Sequence, residues 1–570
     1  MKNYPNVDDD DFYSFINKKY SKFKISSKQR SLKEICFPKK FEFQPPQKFL
    51  AEFINPNTPY KGILVYHKIG AGKTCAAVNI AEKFKPYRKI MIVLPASLKG
   101  NFRTELRSLC ADNLYLKASE RLILKRFHPS SPEYKDIIKI SDARIDKSYI
   151  IYSYNKFISL IKSNSLNLNS TLLIIDEIHN MISEEGTYYE LLYKQIHSAP
   201  QTLRLVLMSA TPIFDKPVEI ALTMNLLLRD KQLPTGQEFI STFMDISYTK
   251  KGPVYKVKNM DLFKEYIKGY VSYYRGAAPK SFPRSELFFV KTRMSDRQEK
   301  LYRKIIKPEL QTTNIKDYVN SDISNSFFIG TRVVSNFVYP NNELGLEGFD
   351  SIKEGDLSQK NIKEFSPKFF KILRKIKQSD GTIFVYSNFR EFGGIRIFAR
   401  MLEYNGFKNY QFHGSGNKRF GIWSGEEDPI VKEEIKSVFN NKNNEDGSQI
   451  KVILGSPSVK EGVSFLRVQQ VHLIEPYWNF SRMDQIIGRA IRFCSHKDVE
   501  PYKQLVKVYI YIAIHPNIPR SIDQHILKMA IDKKIVNQAF ENALKESAID
   551  CELFKNANVY KGDNPIICEK

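Results

Sequence analysis

Residues 62–84, GILVYHKIGAGKTCAAVNIAEKF, constrain this chain more than any other stretch, because a strand, a glycine-bearing turn and a helix follow one another directly. GILVY is a continuous apolar run, as a strand buried on both faces requires. Ala77, Ile80, Ala81 and Phe84 then recur at helical spacing. Between them Gly70, Ala71, Gly72, Lys73 and Thr74 make the turn. Backbone N–H groups that wrap a phosphate at a helix N-terminus are crowded by a Cβ, so glycines belong there. Lys73 can reach the β- and γ-phosphates of a nucleotide, and the Thr74 hydroxyl can ligate Mg²⁺. The full phosphate-loop pattern has a glycine five residues before Gly72, where this chain has His67. An ordinary glycine-rich turn is the competing reading. The preceding strand, the following helix and the intact GxGKT favour a nucleotide site.

Leu172 to His179 read LLIIDEIH, an apolar run ending in two carboxylates. Metal-assisted phosphoryl transfer needs one carboxylate to hold Mg²⁺ and one to orient and deprotonate water, which assigns Asp176 to the metal and Glu177 to the general base. Alone, such a pair is as readily a solvated strand end. Downstream of a phosphate loop in the same unit, it reads as the catalytic edge of an ATP site. IMIVLP (90–95), YIIYSY (149–154), TLLIIDE (171–177) and LRLVLMSA (203–210) are further buried-strand candidates, so a parallel, doubly wound α/β sheet is expected over residues 41–228. A second α/β unit is expected over residues 366–520, with TIFVYSNF (382–389), YQFHG (410–414), KVILGS (451–456), VQQVHLIEP (468–476) and VKVYIYIAI (506–514) as its run of elements. Residues 1–40 read as an N-terminal arm, 229–365 as a helical insertion or linker, and 521–570 as a C-terminal helical extension.

At 570 residues the chain exceeds the size at which single cores stop growing, in line with two or more domains. Its 88 Lys and Arg against 62 Asp and Glu give a net charge of +26, which points to a polyanionic partner, with a charged solvated surface as the alternative. The six cysteines are dispersed, with no CxxC pair and no His at metal spacing, so a reducing, intracellular compartment and no structural zinc are expected. The acidic N-terminus does not read as a signal peptide, and no apolar run approaches ~18 residues, so no membrane span is expected.

The GAGKT loop and the DEIH strand end together resemble the first domain of a superfamily 2 helicase or translocase. Further stretches carry the same likeness in the family's order, over about 450 residues. Ile92 to Leu98 look like motif Ia, which makes Pro95 and Ser97 candidates for nucleic-acid contact. Ser209-Ala210-Thr211-Pro212 look like motif III, so the resemblance gives His179, Ser209 and Thr211 coupling roles. Gln44-Pro45-Pro46-Gln47 sit where the family keeps an adenine-reading glutamine, which is Gln47 here. TIFVYSNF resembles motif IV and KVILGSPSVKEGVSF (451–465) motif V, placing Glu461 and Gly462 in a loop that links ATP to nucleic acid. Ser387, Asn388, His413 and Ser456 become candidate phosphate-backbone contacts, with capping or turn roles as the alternative. Gln485-Ile486-Ile487-Gly488-Arg489-Ala490-Ile491-Arg492 match motif VI. In this family its arginines, here Arg489 and Arg492 three apart on one expected helical face, stabilise charge on the γ-phosphate, and Gln485 belongs to the coupling set. The implied fold is α/β, two tandem RecA-like parallel-sheet domains with helical extensions, and the implied cofactors are ATP and Mg²⁺.

Met208 to Pro212 with Glu219 look like the Snf2-like translocases, as do Lys291 to Ser295 with Gln298 and Tyr302. GYVSYYR (269–275), FGIWSGEED (420–428) and AIDC (548–551) are similar to the helicase-like transcription proteins of large cytoplasmic DNA viruses, such as poxvirus nucleoside triphosphate phosphohydrolase I and the early transcription factor small subunit. That branch implies a nucleic-acid-dependent ATPase and translocase in viral transcription. Its partners would be nucleic acid, DNA before RNA, and a viral RNA polymerase or other transcription factors. It would be located in the virion and in viral factories of the host cytoplasm. An initiation-factor subunit and a strand-separating helicase are the two other readings.

Overall fold

The computed structural model describes residues 4–26, 31–127, 131–182, 186–250, 252–276, 278–312, 317–353, 355–460, 463–560 and 563–570. It contains two compact units, residues 1–278 together with 535–570, and residues 279–534.

In the first unit lie β1 (Gly62–His67), β2 (Lys89–Leu94), β3 (Tyr149–Ser153), β4 (Thr171–Asp176), β5 (Arg204–Ser209), a separate hairpin of β6 (Met244–Thr249) and β7 (Gly252–Val257), and β8 (Val271–Tyr274). The main sheet has the order β3-β2-β4-β5-β1-β8, and all its pairings are parallel. Parallel neighbours need crossovers, and the helices Lys73–Phe84, Tyr154–Lys162 and Thr187–His197 supply three of them. Every residue of β1 and β4 is buried, which explains why these strands read as unbroken apolar runs.

Within the stretch expected as an N-terminal arm, residues 12–23 pack into this unit. Phe12, Tyr13, Ile16 and Tyr20 form the buried face of the helix Phe12–Lys19 and the turn after it, in the same core cluster as Phe49, Phe53 and Phe554. Tyr20 meets Phe49 edge-on with ring centroids 5.2 Å apart, and Phe49 meets Phe554 at 5.7 Å. Both chain ends therefore complete this unit's core.

The second unit holds β9 (Arg284–Arg293), β10 (Thr382–Tyr386), β11 (Lys408–Asn409), β12 (Arg419–Trp423), β13 (Val452–Gly455), β14 (Val468–Leu473) and β15 (Leu505–Ile514). Their order is β11-β12-β13-β10-β14-β15-β9, again all parallel. The region expected to be a helical insertion thus contributes β8 to one sheet and β9 to the other. YQFHG is also not a strand: the Asn409 side chain accepts from Gln411 N at 3.1 Å and caps the single helical turn Tyr410–His413, while the FGIW segment supplies β12. The helical spacing from Ile522 to Leu544 is realised in one helix, Ile522–Glu546.

The cysteines depart from the expected free thiols. Cys75 pairs with Cys110 and Cys551 with Cys568 as disulfides, with Cα atoms 5.5 and 5.7 Å apart. Residues far apart in sequence are brought together by packing, which spacing alone cannot reveal. Among the described residues no helix is long and apolar enough to cross a membrane.

Candidate active site

Because β4, β5 and β1 are parallel neighbours, the loops leaving their C-terminal ends gather at one edge of the sheet. The register sets Asp176 beside Met208, and Tyr66 beside Ser209. At that edge Gly70 and Gly72 take φ of 81° and 74°, the left-handed region that glycine enters without strain. Gly72 caps the helix Lys73–Phe84. A Cβ added there would lie 2.5 Å from Gln47 Nε2, because the Gln47 amide packs directly on the loop. Gln47 Nε2 donates to the Gly72 carbonyl at 3.1 Å, and its Oε1 accepts from Gln44 N at 2.8 Å. The residue singled out as an adenine reader thus braces the phosphate loop in this structure.

Lys73 Nζ donates to the His67 carbonyl at 3.2 Å and lies 4.0 Å from Glu177 Oε1. Glu177 has φ of 50°, so the chain turns sharply after β4 and re-aims its carboxylate. Two contacts hold that turn. Asp176 Oδ1 accepts from Glu177 N at 3.0 Å, and the Tyr154 hydroxyl donates to the Asp176 and Glu177 carbonyls. Tyr154 was not among the sequence candidates, and its only signal was a place at the end of YIIYSY. Glu177 Oε2 is 3.4 Å from His179 Nδ1, which lies 3.1 Å from Ser209 Oγ. Ser209 Oγ in turn accepts from Thr211 N at 3.0 Å. His179, Ser209 and Thr211 therefore form one polar chain from the carboxylate to the loop after β5.

That loop has a buried anchor. Glu219 accepts from Phe214 N, Asp215 N and Lys216 N at 2.7, 2.9 and 3.1 Å. Burial, with the Asp215 charge adding to it, pushes its carboxyl up to about 7 against the lowering effect of these bonds. Pro95 is buried at the end of β2, and Ser97 is exposed just beyond it.

In the second unit the helix Phe480–Ile487 stops at Gly488, so Arg489 and Arg492 do not share a helical face as expected. They converge by another route. Arg489 Nη1 and Arg492 Nη2 both donate to the Val463 carbonyl, at 3.5 and 3.3 Å. Gln485 lies on the helix before them. Glu461 and Gly462 lie outside the described residues. Ser387 is fully buried, and its hydroxyl donates to the buried Glu475, which also accepts from Asn388 Nδ2 at 3.1 Å. Ser387 thus offers no surface to a nucleic-acid backbone. Ser456 is also buried, whereas His413 is exposed at the end of its helical turn.

The DEAD/DEAH box helicase model matches residues 48–220, and the helicase conserved C-terminal domain model matches residues 367–494, together more than half of the chain. An Acanthamoeba polyphaga mimivirus protein, "Putative ATP-dependent RNA helicase R563", is 69% identical over 567 residues, covering 100% of this chain and 99% of its own length. A second protein of that virus, "Putative ATP-dependent RNA helicase R350", is 27% identical, over 91% of this chain and 75% of its own. The "Termination factor NPH-I homolog" of African swine fever virus is 26% identical over 86% of this chain and 76% of its own. With two parallel α/β domains, a phosphate loop facing a DE pair and both family models in order, this chain belongs to the DEAD/DEAH box helicases of superfamily 2 and is an ATP hydrolase that acts on nucleic acid.

Proposed function

We propose that this protein is a nucleic-acid-stimulated ATPase that translocates along its polynucleotide in viral transcription, at elongation, termination or transcript release. The observation that carries the reading is the polar chain Lys73–Glu177–His179–Ser209–Thr211, which ties the ATP-facing carboxylate to the loop after β5. A change in nucleotide state at Glu177 is felt by that loop through contacts of 3.0–3.4 Å. The net charge of +26 supports a grip that is mainly electrostatic. The transcription role draws on the likeness to the African swine fever virus termination-factor homolog.

Lys73 supplies positive charge to the phosphates, the loop N–H groups orient them, and Glu177 takes the proton of the attacking water. Thr74, in the first turn of the helix, and Asp176, at the end of β4, offer the hydroxyl and carboxylate oxygens that suit Mg²⁺. Bound there, Mg²⁺ would offset charge developing on the phosphates.

A second reading, a strand-separating RNA helicase, is favoured by the name of the mimivirus relative at 69% identity, and it weighs RNA at least as heavily as DNA. Phosphate release from ATP, measured in parallel with single-stranded DNA, duplex DNA and RNA, tests the common core. At least one polymer is expected to stimulate turnover, and no stimulation by any of the three would overturn the proposal. Displacement of a short duplex separates the two readings. If six to ten phosphates are contacted, affinity should fall about 10³–10⁵-fold between about 50 and 200 mM salt.

A further inference from the structure

Two stretches that no motif of the ATPase absorbs, GYVSYYR (269–275) and AIDC (548–551), meet beside the phosphate loop. The first forms β8, which pairs with β1 so that Ser272 lies next to Val65, and Tyr274 next to His67. The second docks on β8: Ile549 N donates to the Val271 carbonyl at 2.8 Å, and Asp550 Oδ1 accepts from Tyr273 N at 2.9 Å. Ser272 Oγ donates to Asp550 Oδ2 and lies 3.0 Å from His67 Nε2. His67, Ser272 and Asp550 are all fully buried. His67 is also the residue that replaces the glycine of the phosphate-loop pattern, and its carbonyl accepts from Lys73 Nζ.

The hydroxyl has one proton. Since Ser272 gives it to the Asp550 carboxylate, the His67–Ser272 bond forms only if His67 Nε2 carries the ring proton. His67 Nδ1 is then a bare acceptor, and it is buried with no hydrogen-bond partner among the described residues. Burial, and after it the Lys73 charge, hold the imidazole neutral, with its pKa down to about 3. We propose that Asp550, acting through Ser272, is a positioning residue of the ATPase: it fixes the tautomer and orientation of His67, and through the His67 carbonyl the resting place of the Lys73 ammonium. The Asn558 bonds to Arg275 N (2.8 Å) and the Tyr273 carbonyl (3.1 Å) keep the C-terminal segment seated on β8, and Cys551–Cys568 ties that segment to itself. The C-terminal segment is thereby part of the nucleotide site without touching nucleotide.

The proposal rests on the reading of residues 70–74 as the ATP site, and the test separates the two. Asp550→Asn is nearly isosteric. Its oxygen can still accept from Tyr273 N, but its amide donates to Ser272 Oγ and turns the hydroxyl proton toward His67 Nε2. The ring proton is then expected to move to Nδ1. Long-range ¹H–¹⁵N spectra of full-length protein labelled at its nine histidines, with His67 assigned by His67→Gln, read this directly. Spectra are recorded well above the Asp550 pKa, which burial pushes up to about 7. Asp550→Asn and Ser272→Ala should each raise KM for ATP about tenfold while kcat changes less than about threefold, and Ser272→Thr, which keeps the hydroxyl, should restore KM. An Nε2–H tautomer retained in Asp550→Asn, or wild-type KM in both variants, overturns the relay. Lys73→Ala should abolish ATP binding whatever the relay does; undiminished affinity in that variant would remove the site assignment itself, and the relay with it.

Discussion

Glu177→Gln is expected to lower ATP turnover about 10²–10⁴-fold, the usual contribution of a positioned general base, while ATP binding persists. The substitution preserves shape. A glutamine in this place can still approach Lys73 Nζ, now 4.0 Å from Oε1, and His179 Nδ1, now 3.4 Å from Oε2, but it cannot accept the proton of the attacking water. The turn itself should survive, because it is held by the Asp176 carboxylate and the Tyr154 hydroxyl and not by the Glu177 side chain. Single-turnover phosphate release reports the chemical step, and calorimetric titration with a non-hydrolysable analogue reports binding. Turnover near the wild-type rate would remove Glu177 from the base role. Loss of binding alongside turnover would mean that the carboxylate serves chiefly to hold Lys73.

The parts of this site that could be read along the chain are those whose physics is local. β1 and β4 announce themselves because a strand buried on both faces must be apolar throughout, and Gly72 because a Cβ there would crowd the loop. What escaped reading depends on distant partners. β8 is four residues, VSYY, with a serine at its centre whose burial makes sense only beside Asp550, 278 residues away. His67 looks like a defect in a linear pattern, yet its ring closes a buried polar chain. Ser387 and Asn388 have the composition of a nucleic-acid contact, but Glu475, 88 residues beyond Ser387, takes both side chains inward. The helical face expected for Arg489 and Arg492 fails because the chain leaves the helix at Gly488, and a shared carbonyl restores the convergence.

Asp523→Ala should destabilise the second unit by about 3–5 kcal/mol, the cost of leaving one partner of a buried ion pair alone. Lys368 and Asp523 have side chains each 1% exposed, with Nζ 2.7 Å from Oδ2. The same Oδ2 accepts from Ala513 N at 2.8 Å, so the truncation also strands a backbone donor of β15. Lys368 Nζ further donates to Asn336 Oδ1 at 2.9 Å, and Asn336 Nδ2 donates to Glu475 Oε2 at 2.7 Å. Through Glu475 the network reaches Ser387 and Asn388 just after β10, so one carboxylate at the start of the long C-terminal helix is linked to β15, to the helices Ile329–Asn336 and Pro367–Gln378, and to the segments that follow β14 and β10. The chain's two tryptophans, Trp423 and Trp478, both belong to this unit, so urea unfolding followed by tryptophan fluorescence reports on this unit. The double variant Lys368→Met/Asp523→Leu should recover much of the loss, because removing both charges also removes the uncompensated ammonium. A single-variant loss below about 1 kcal/mol would show that water or a shifted carboxylate reaches Lys368, while an equal loss in the double variant would assign the effect to packing and not to the stranded charge.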